Sequence, residues 1–350
     1  MTCKTFRVRT LAWFGALLAL NAFAQGNLAS AAAGAGSASA KATEETVSAA
    51  KKFLASLDEN QRGQALFAFK DGAQRKRWSN LPTSFVKRGG LRMGDLSKAQ
   101  RDAGLAVLAA ALSPQGYQKV IQITEGDETL KKQGGQSMFG RDEYYISFLG
   151  QPSTSEPWMI QFGGHHLGLN MTLAGDHSTL APTHTGVQPA IFEFEGKTVQ
   201  PLGREIEKAF ALVNSLDEAQ RKQAVLGFQM HDLVLGPGRD GQTIQPEGIK
   251  GSALKDKQRE MLLDLASEWV GIMNEAGAKA KMEEIQRNVA ETWFTWSGPT
   301  EKGSAAYFRI QGPAVIIEYS PQRLGGDATK HIHTIYRDPT NEYGAKWWKE

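Results

Sequence analysis

The sequence predicts an α+β protein that is internally duplicated, in which each half is a set of helices followed by a small antiparallel sheet. Two observations lead to this prediction. A ten-residue segment occurs twice in the chain, and in both halves segments with helical spacing precede segments with the alternation of strands. If the two repeats fold alike, they are related by a pseudo-twofold arrangement.

The repeated segment covers residues 56–65 and 215–224, and eight of its ten positions are identical. Each copy opens with Ser-x-x-Glu, the capping box that begins many helices by satisfying the first backbone N–H groups. The predicted capping pairs are Ser56 with Glu59 and Ser215 with Glu218. We expect each copy to continue as an apolar helical face that ends at Phe69 and at Phe228.

A weaker correspondence continues along both halves. Residues 96–101 and 254–259 each begin a segment whose apolar spacing predicts a helix of about four turns. Residues 145–152 and 293–299 each alternate as a strand that ends in a Gly/Pro turn. The predicted repeats cover residues 43–195 and 196–350, and the pattern leaves open whether their sheets join.

The first 24 residues have the features of a secretory signal peptide. They contain a basic start, an apolar run over residues 11–20 and the small-residue site Ala22-Phe23-Ala24. We therefore expect cleavage near Ala24 and a periplasmic or secreted protein. Residues 25–42 are rich in Ala, Gly and Ser, which predicts a flexible leader.

Charge and cysteine content exclude several classes of function. The chain has 40 Lys and Arg against 37 Asp and Glu, and its excess of bases equals Lys4, Arg7 and Arg9 of the signal. The mature chain is therefore formally neutral, which argues against a nucleic-acid partner. The sole cysteine, Cys3, also lies in the signal, so disulfides and thiolate sites are excluded. No later segment has the ~20 apolar residues of a membrane span.

A predicted hairpin in the first half concentrates polar side chains. Residues 158–162 and 165–172 read as strands, and Gly163-Gly164 between them fits a two-residue turn at positive φ. Alternation then puts His166, Gly168, Asn170 and Thr172 on one face, where the glycine leaves room for a ligand. We assign Gln161 and Asn170 to substrate binding and His166 to catalysis or metal binding. The alternative for His166 is a structural role as a hydrogen-bonded histidine. For His165 this structural role is the preferred interpretation.

The second half contains His331-Ile332-His333 in a segment of strand-forming residues. The i, i+2 spacing puts both imidazoles on one face of a strand, where they can bind one metal ion. A third ligand is His166, His177 or His184. A site made only of histidines suits zinc, copper or iron. The alternative is a structural role, because His-x-His also occurs on ordinary strands.

Two interpretations are open for Arg337 and Asp338. They form a structural pair, with Asp338-Pro339 opening a turn. Alternatively they are catalytic, with Arg337 binding an anionic group of the substrate and Asp338 orienting a histidine.

These segments resemble the bacterial family catalogued as domain of unknown function 3500. The resemblance covers nearly all of the mature chain and is carried by four segments: residues 145–152, 164–167, 331–339 and 341–344. The last segment contains Glu342 where the family leads us to expect an Asp. It implies an exported protein and brings no established reaction or cofactor.

Three hypotheses about function follow. The first is an exported metalloprotein with a histidine site between its halves, acting as a hydrolase or, less favoured, as an oxidoreductase. The second is a metal-free hydrolase in which a histidine is the general base, oriented by Asp338 or Asp176. The third is a non-catalytic protein that binds a small molecule or a partner. The sequence does not indicate the oligomeric state.

Overall fold

A computed structural model describes residues 38–134, 137–324 and 326–348, so the predicted signal peptide and residues 25–37 of the leader lie outside the described chain. The described helices are α1 (38–55), α2 (Glu59–Ala65), α3 (Gly72–Arg75), α4 (Lys98–Ala111), α5 (Pro114–Gly134), α6 (Gly203–Ser215), α7 (Glu218–Ala224), α8 (Asp256–Val270) and α9 (Glu275–Arg287). The strands are β1 (Leu66–Phe67), β2 (Leu91–Arg92), β3 (Tyr145–Leu149), β4 (Trp158–Gly163), β5 (Leu167–Ala174), β6 (His177–Thr179), β7 (Thr183–Val187), β8 (Phe192–Phe194), β9 (Lys197–Val199), β10 (Ile249–Lys250), β11 (Trp293–Ser297), β12 (Tyr307–Gly312), β13 (Val315–Pro321) and β14 (Ile332–Arg337).

The strands of both halves form one twelve-stranded mixed sheet, which confirms the α+β class. Its order is β1-β3-β4-β5-β7-β14-β13-β12-β11-β10, with β2 on β3 and β6 on β5. The halves meet where β7 and β14 pair antiparallel, with Thr185 opposite Thr334. The boundary predicted between residues 195 and 196 falls in the turn of the separate β8–β9 hairpin.

The two faces of this sheet differ in polarity because side chains alternate along each strand. One face is apolar and packs on the helices: Phe53 of α1 contacts Phe148 of β3 at a ring distance of 5.9 Å, and Trp269 of α8 contacts Phe308 of β12 at 6.0 Å. The opposite face contains buried polar pairs on neighbouring strands, such as Gln161 beside Asn170. We call it the polar face, and the candidate metal site lies on it.

The helix starts differ from the predicted capping boxes. The N-caps of α2 and α7 are Asp58 and Asp217, whose carboxylates accept the N–H groups of Gln61 and Gln220. Ser56 instead donates to the carbonyl of Phe53 at the end of α1. The repeated segment also contains Asp-x-x-Gln, which forms the same kind of capping box. Asp is favoured over Ser here because the helix dipole also stabilises its carboxylate.

Three other boundaries differ from the prediction. The helices α2 and α7 end at Ala65 and Ala224, because the residues that follow pair with strands of the sheet. Residues 66–67 pair with β3, and Val225 forms a bridge to Trp296 of β11. Residues 38–42, expected in the flexible leader, belong to α1, and the Thr46 hydroxyl donates to the Ala42 carbonyl one turn earlier. Strand ends at residues 149 and 297 agree with the prediction and are followed by glycines at positive φ.

None of the helices in the described part of the chain has both the length and the apolar content of a membrane span.

Candidate metal centre

The hairpin β4–β5 carries His166, but its turn is not the predicted one. Gly163 belongs to β4, and the N–H of Gly164 bonds to the carbonyl of Leu167, so His165 and His166 form the tip. Neither glycine has positive φ. They are required for close approach instead, because a Cβ on Gly163 would lie 2.4 Å from the Leu167 carbonyl oxygen.

The replacement Gly163→Ala is expected to destabilise the fold by about 1–2 kcal/mol, because the added methyl group overlaps backbone that it cannot displace cheaply. Chemical denaturation measures the change. The matched control is Gly63→Ala, where the new Cβ meets nothing within 4 Å on α2 and replaces a helix-destabilising glycine. Equal stability of the two variants would contradict the steric explanation for Gly163.

Three histidines converge on the polar face. The Nε2 atom of His331 lies 3.1 Å from Nε2 of His166 and 3.1 Å from Nε2 of His333. All three ligand atoms lie within 4.8 Å of one another. The residues are buried, with exposed fractions of 0 % for His166 and 5 % for each of the other two. His331 and His333 share one face of the chain at β14, as their spacing predicts, and the structure adds His166 as the third member.

The opposite nitrogen of each ring is held by a separate group. Nδ1 of His166 lies 2.6 Å from Oδ1 of Asp127, and Nδ1 of His331 lies 2.8 Å from the carbonyl oxygen of Leu324. Nδ1 of His333 lies 3.2 Å from the side-chain amide of Asn80, which can either donate or accept once its orientation is reversed. Such contacts orient metal-binding histidines and select their tautomer.

These contacts decide which nitrogens carry protons. A carboxylate and a backbone carbonyl can only accept, so His166 and His331 each hold their proton on Nδ1. Both Nε2 atoms then present lone pairs to each other across 3.1 Å. Two ligand nitrogens at ~2.0–2.1 Å from one tetrahedral ion would be ~3.3 Å apart, so a cation between them fits this spacing.

Burial keeps these imidazoles neutral. Burial, followed by the neighbouring His165, lowers the pKa of His166 to about 3. Burial also lowers the pKa of His331 and, together with His184 and the other histidines, that of His333. The facing lone pairs are therefore not separated by a proton at neutral pH.

Asp127 is the buried charge of the site. It lies on α5 and is 1 % exposed, and its Oδ2 accepts a hydrogen bond from the Tyr144 hydroxyl at 2.8 Å. Burial alone would raise the pKa of Asp127. The neighbouring His166 and His165 lower it by more than burial raises it, so the pKa lies well below its usual range. His165 belongs to this group, with Nδ1 3.5 Å from Asp127 and its ring centroid 3.8 Å from that of His166, the two planes tilted by 33°.

Glycines make room for the three rings. Gly186 of β7 lies opposite His333, and a Cβ there would be 3.0 Å from Cδ2 of both His166 and His333. Gly168, predicted to leave space for a ligand, is covered by Trp78, whose ring would be 3.0 Å from an added Cβ. The space above Gly168 is therefore filled by the protein itself.

The other two histidines predicted as ligands lie outside the trio. His184 is part of β7. Its Nδ1 bonds to the carbonyl of Thr334, and its buried Nε2 has no partner among the described residues. Its ring is 5.2 Å from that of His333. His177 has a side chain that is 67 % exposed and stacks on Trp347. His177 therefore lies outside the site, because it is exposed and belongs to β6.

Arg337 and Asp338 do not pair with each other. Arg337 is buried and forms ion pairs with Glu342 at 2.6 Å and Asp240 at 3.2 Å, and it donates to two backbone carbonyls. Asp338 pairs with Lys281 at 2.8 Å and bonds to the turn that follows it. Neither contacts a histidine of the trio, so their catalytic interpretation gains no geometric support.

Gln161 and Asn170, predicted to bind substrate, are occupied by protein groups. The amide of Gln161 donates to Asn170 and to the carbonyl of Arg75, and Asn170 donates to the carbonyl of Pro182. Gln74 donates to the side-chain oxygen of Gln161. These bonds hold α3 and the loop before β7 against the polar face.

The sequence analysis missed the groups that hold the histidines. Asp127 had a detectable signal, because Val120, Ile123 and Asp127 follow one face of α5 and place a carboxylate on its buried side. Asn80 had no such signal, since it lies in an irregular segment. The Leu324 contact uses a backbone carbonyl, which every residue has.

The fold and the site together define a mixed α+β protein with a buried cluster of three histidines. Residues 39–345 match the family described as "Protein of unknown function (DUF3500)", and the chain belongs to this family. No curated protein and no solved structure matches the chain.

Proposed function

We propose that this protein binds one divalent transition-metal ion through the Nε2 atoms of His166, His331 and His333. The observation that carries the proposal is the pair of Nε2 lone pairs that face each other at 3.1 Å, each fixed by a hydrogen bond at the other ring nitrogen. A cation removes the repulsion between them. The third Nε2, from His333, completes a ligand set on one side of the ion.

The donor set suits zinc, copper or iron, and three histidines with a free position are one arrangement of catalytic zinc sites. Such an ion supplies a Lewis acid and lowers the pKa of a water that it binds. We propose metal-assisted hydrolysis as the activity, ahead of oxidation. Asp127 would keep Nδ1 of His166 protonated and thus keep its Nε2 free for the ion.

Metal addition is expected to stabilise the protein. An ion that binds only the folded chain at ~1,000 times its dissociation constant adds about 4 kcal/mol to the free energy of unfolding. The measurement is thermal unfolding of EDTA-treated protein with Zn²⁺, Cu²⁺ or Fe²⁺, with Mg²⁺ as the oxygen-preferring control. Metal analysis should give one ion per chain. An unchanged melting temperature with all three transition metals would refute the proposal.

A second candidate function rests on the short contact between Asp127 and His166. This pair has the form of a general base and its orienting carboxylate, so a metal-free hydrolase would use His166 as the base. Here Asp127 takes the part that the sequence assigned to Asp338 or Asp176. Activity that survives chelation but is lost in His166→Ala would favour this candidate.

We also propose export and an origin by duplication. The features of residues 1–24 support export to the periplasm. The test is mass spectrometry of the exported protein, which should give the mass of a chain that begins at Gln25.

The origin by duplication is supported by three observations: the repeated segment, the matching caps of α2 and α7, and the related order of strands on either side of β7–β14. Together they support two repeats with a pseudo-twofold relation. Separate expression of each half, giving no folded product, would be consistent with a sheet completed by both.

A further inference from the structure

A cavity of about 610 Å³ lies on the apolar side of the sheet, away from the histidines. Its walls come from α6, from the chain around residues 302–306 and from the ends of β7, β13 and β14. Ile332 lines it, whereas the neighbouring His331 and His333 project from the opposite face of the chain. The volume lies within the roughly 300–1,000 Å³ of small-molecule sites.

The exposed lining of the cavity is about equally polar and apolar, and its charged residues balance. Its inner surface includes Leu202, Phe210 and Ile332, and small residues such as Ala190 and Ala306 keep it open. The charged residues in its lining are Lys302 and Glu207, which are exposed and opposite in sign. A ligand that enters fully would therefore find no buried ion partner, so an ionised group would be strongly disfavoured inside.

One buried polar side chain in this lining has no hydrogen-bond partner for its hydroxyl in the part of the chain that the structure describes. Tyr319 is 4 % exposed and its ring stacks on Phe308 at 5.1 Å, so the ring is fixed. Within the described chain its hydroxyl forms no hydrogen bond with a protein group. The lining of the cavity includes this residue, so a bound molecule can supply the missing acceptor.

We propose that this cavity binds a small, neutral molecule with an apolar body and a hydrogen-bond-accepting oxygen, such as a ketone or an ester, which accepts a bond from the Tyr319 hydroxyl. The apolar side chains of the lining contact the body of the molecule, and the hydroxyl sets its orientation. The proposal is independent of the metal site, because the two sites lie on opposite faces of the sheet.

The test uses prodan, a neutral naphthyl ketone whose fluorescence shifts to shorter wavelengths in apolar surroundings. The purified protein is expected to bind one prodan per chain. Tyr319→Phe retains the ring packing and removes one neutral hydrogen bond, so prodan binding should weaken about 2- to 12-fold. Anilinonaphthalene sulfonate, which is of similar size but anionic, should bind at least about tenfold more weakly than prodan.

A blocking variant separates this cavity from other surfaces. Ser304→Trp fills its rim at a half-exposed position, and we expect it to weaken prodan binding at least about tenfold. The control is Ser155→Trp, an exposed position in the loop between β3 and β4, which should bind as the wild type does. Circular dichroism checks that all variants are folded. Absence of prodan binding to the wild type, or full binding by Ser304→Trp, would overturn the proposal.

Discussion

Replacement of His331 and His333 together by alanine is expected to abolish stoichiometric transition-metal binding. Two of the three converging Nε2 atoms are lost, and His166 alone offers a single ligand. Loss of a residue that only supports a ligand lowers metal affinity roughly 10- to 100-fold, and loss of two ligands should lower it by much more. Competition with a chromophoric chelator measures the dissociation constant, and metal analysis of the purified variant gives the stoichiometry.

The matched control for this variant is His177→Ala. His177 was also predicted as a ligand, but its side chain is 67 % exposed and stacks on Trp347. Its removal should leave metal content and affinity unchanged. The double variant must be shown to fold, which circular dichroism and a cooperative melting transition can establish. Metal content that is low in the wild type and equal in the folded double variant would eliminate the metal site.

The replacement Asp127→Asn is expected to lower metal affinity by roughly 10- to 100-fold without removing a ligand. The carboxylate accepts from Nδ1 of His166 at 2.6 Å, which fixes the tautomer with a free Nε2. A neutral amide is a weaker acceptor, and in the reversed orientation it donates to Nδ1 and moves the histidine proton onto Nε2. The metal must then displace that proton.

The readouts for Asp127 separate positioning from a general loss of stability. Chelator competition gives the metal affinity, and denaturation of the metal-free protein gives the stability. Asp176→Asn is the control, since Asp176 lies beside the exposed His177 and should not affect either quantity. Tyr144→Phe removes one donor to Asp127 and should have a smaller effect on affinity than Asp127→Asn. Unchanged affinity in folded Asp127→Asn would show that the carboxylate does not position His166.

Much of the fold could be predicted from local patterns. The helices α4 and α8 and the strands β3, β11 and β14 lie where apolar spacing and alternation indicated. The helix caps and the hairpin turn were predicted two residues before their true positions, at Ser56 instead of Asp58 and at residues 163–164 instead of 165–166. Competing local solutions were close in energy there, as between Ser56 and Asp58, and the glycines of the turn respond to a steric contact that a sequence does not display.

The candidate site was predicted in part. Alternation correctly placed His331 and His333 on one face, and it placed His166 on the polar side of its hairpin. The choice among His166, His177 and His184 stayed open, because it depends on the order β5-β7-β14, which joins segments from both halves. His184 is in the adjacent strand yet directs its bonded nitrogen at Thr334, and this orientation follows from packing.

The sequence by itself determined the α+β class, the alternation that separates an apolar from a polar sheet face, and the pair of histidines on one strand. These features are local, since the period of two along a strand or of 3.6 along a helix acts over a few residues. The tertiary structure alone decided the third histidine and the groups that hold all three, namely Asp127, Asn80 and the Leu324 carbonyl. These groups are distant along the chain, and only the joining of both halves in one sheet brings them within hydrogen-bonding distance.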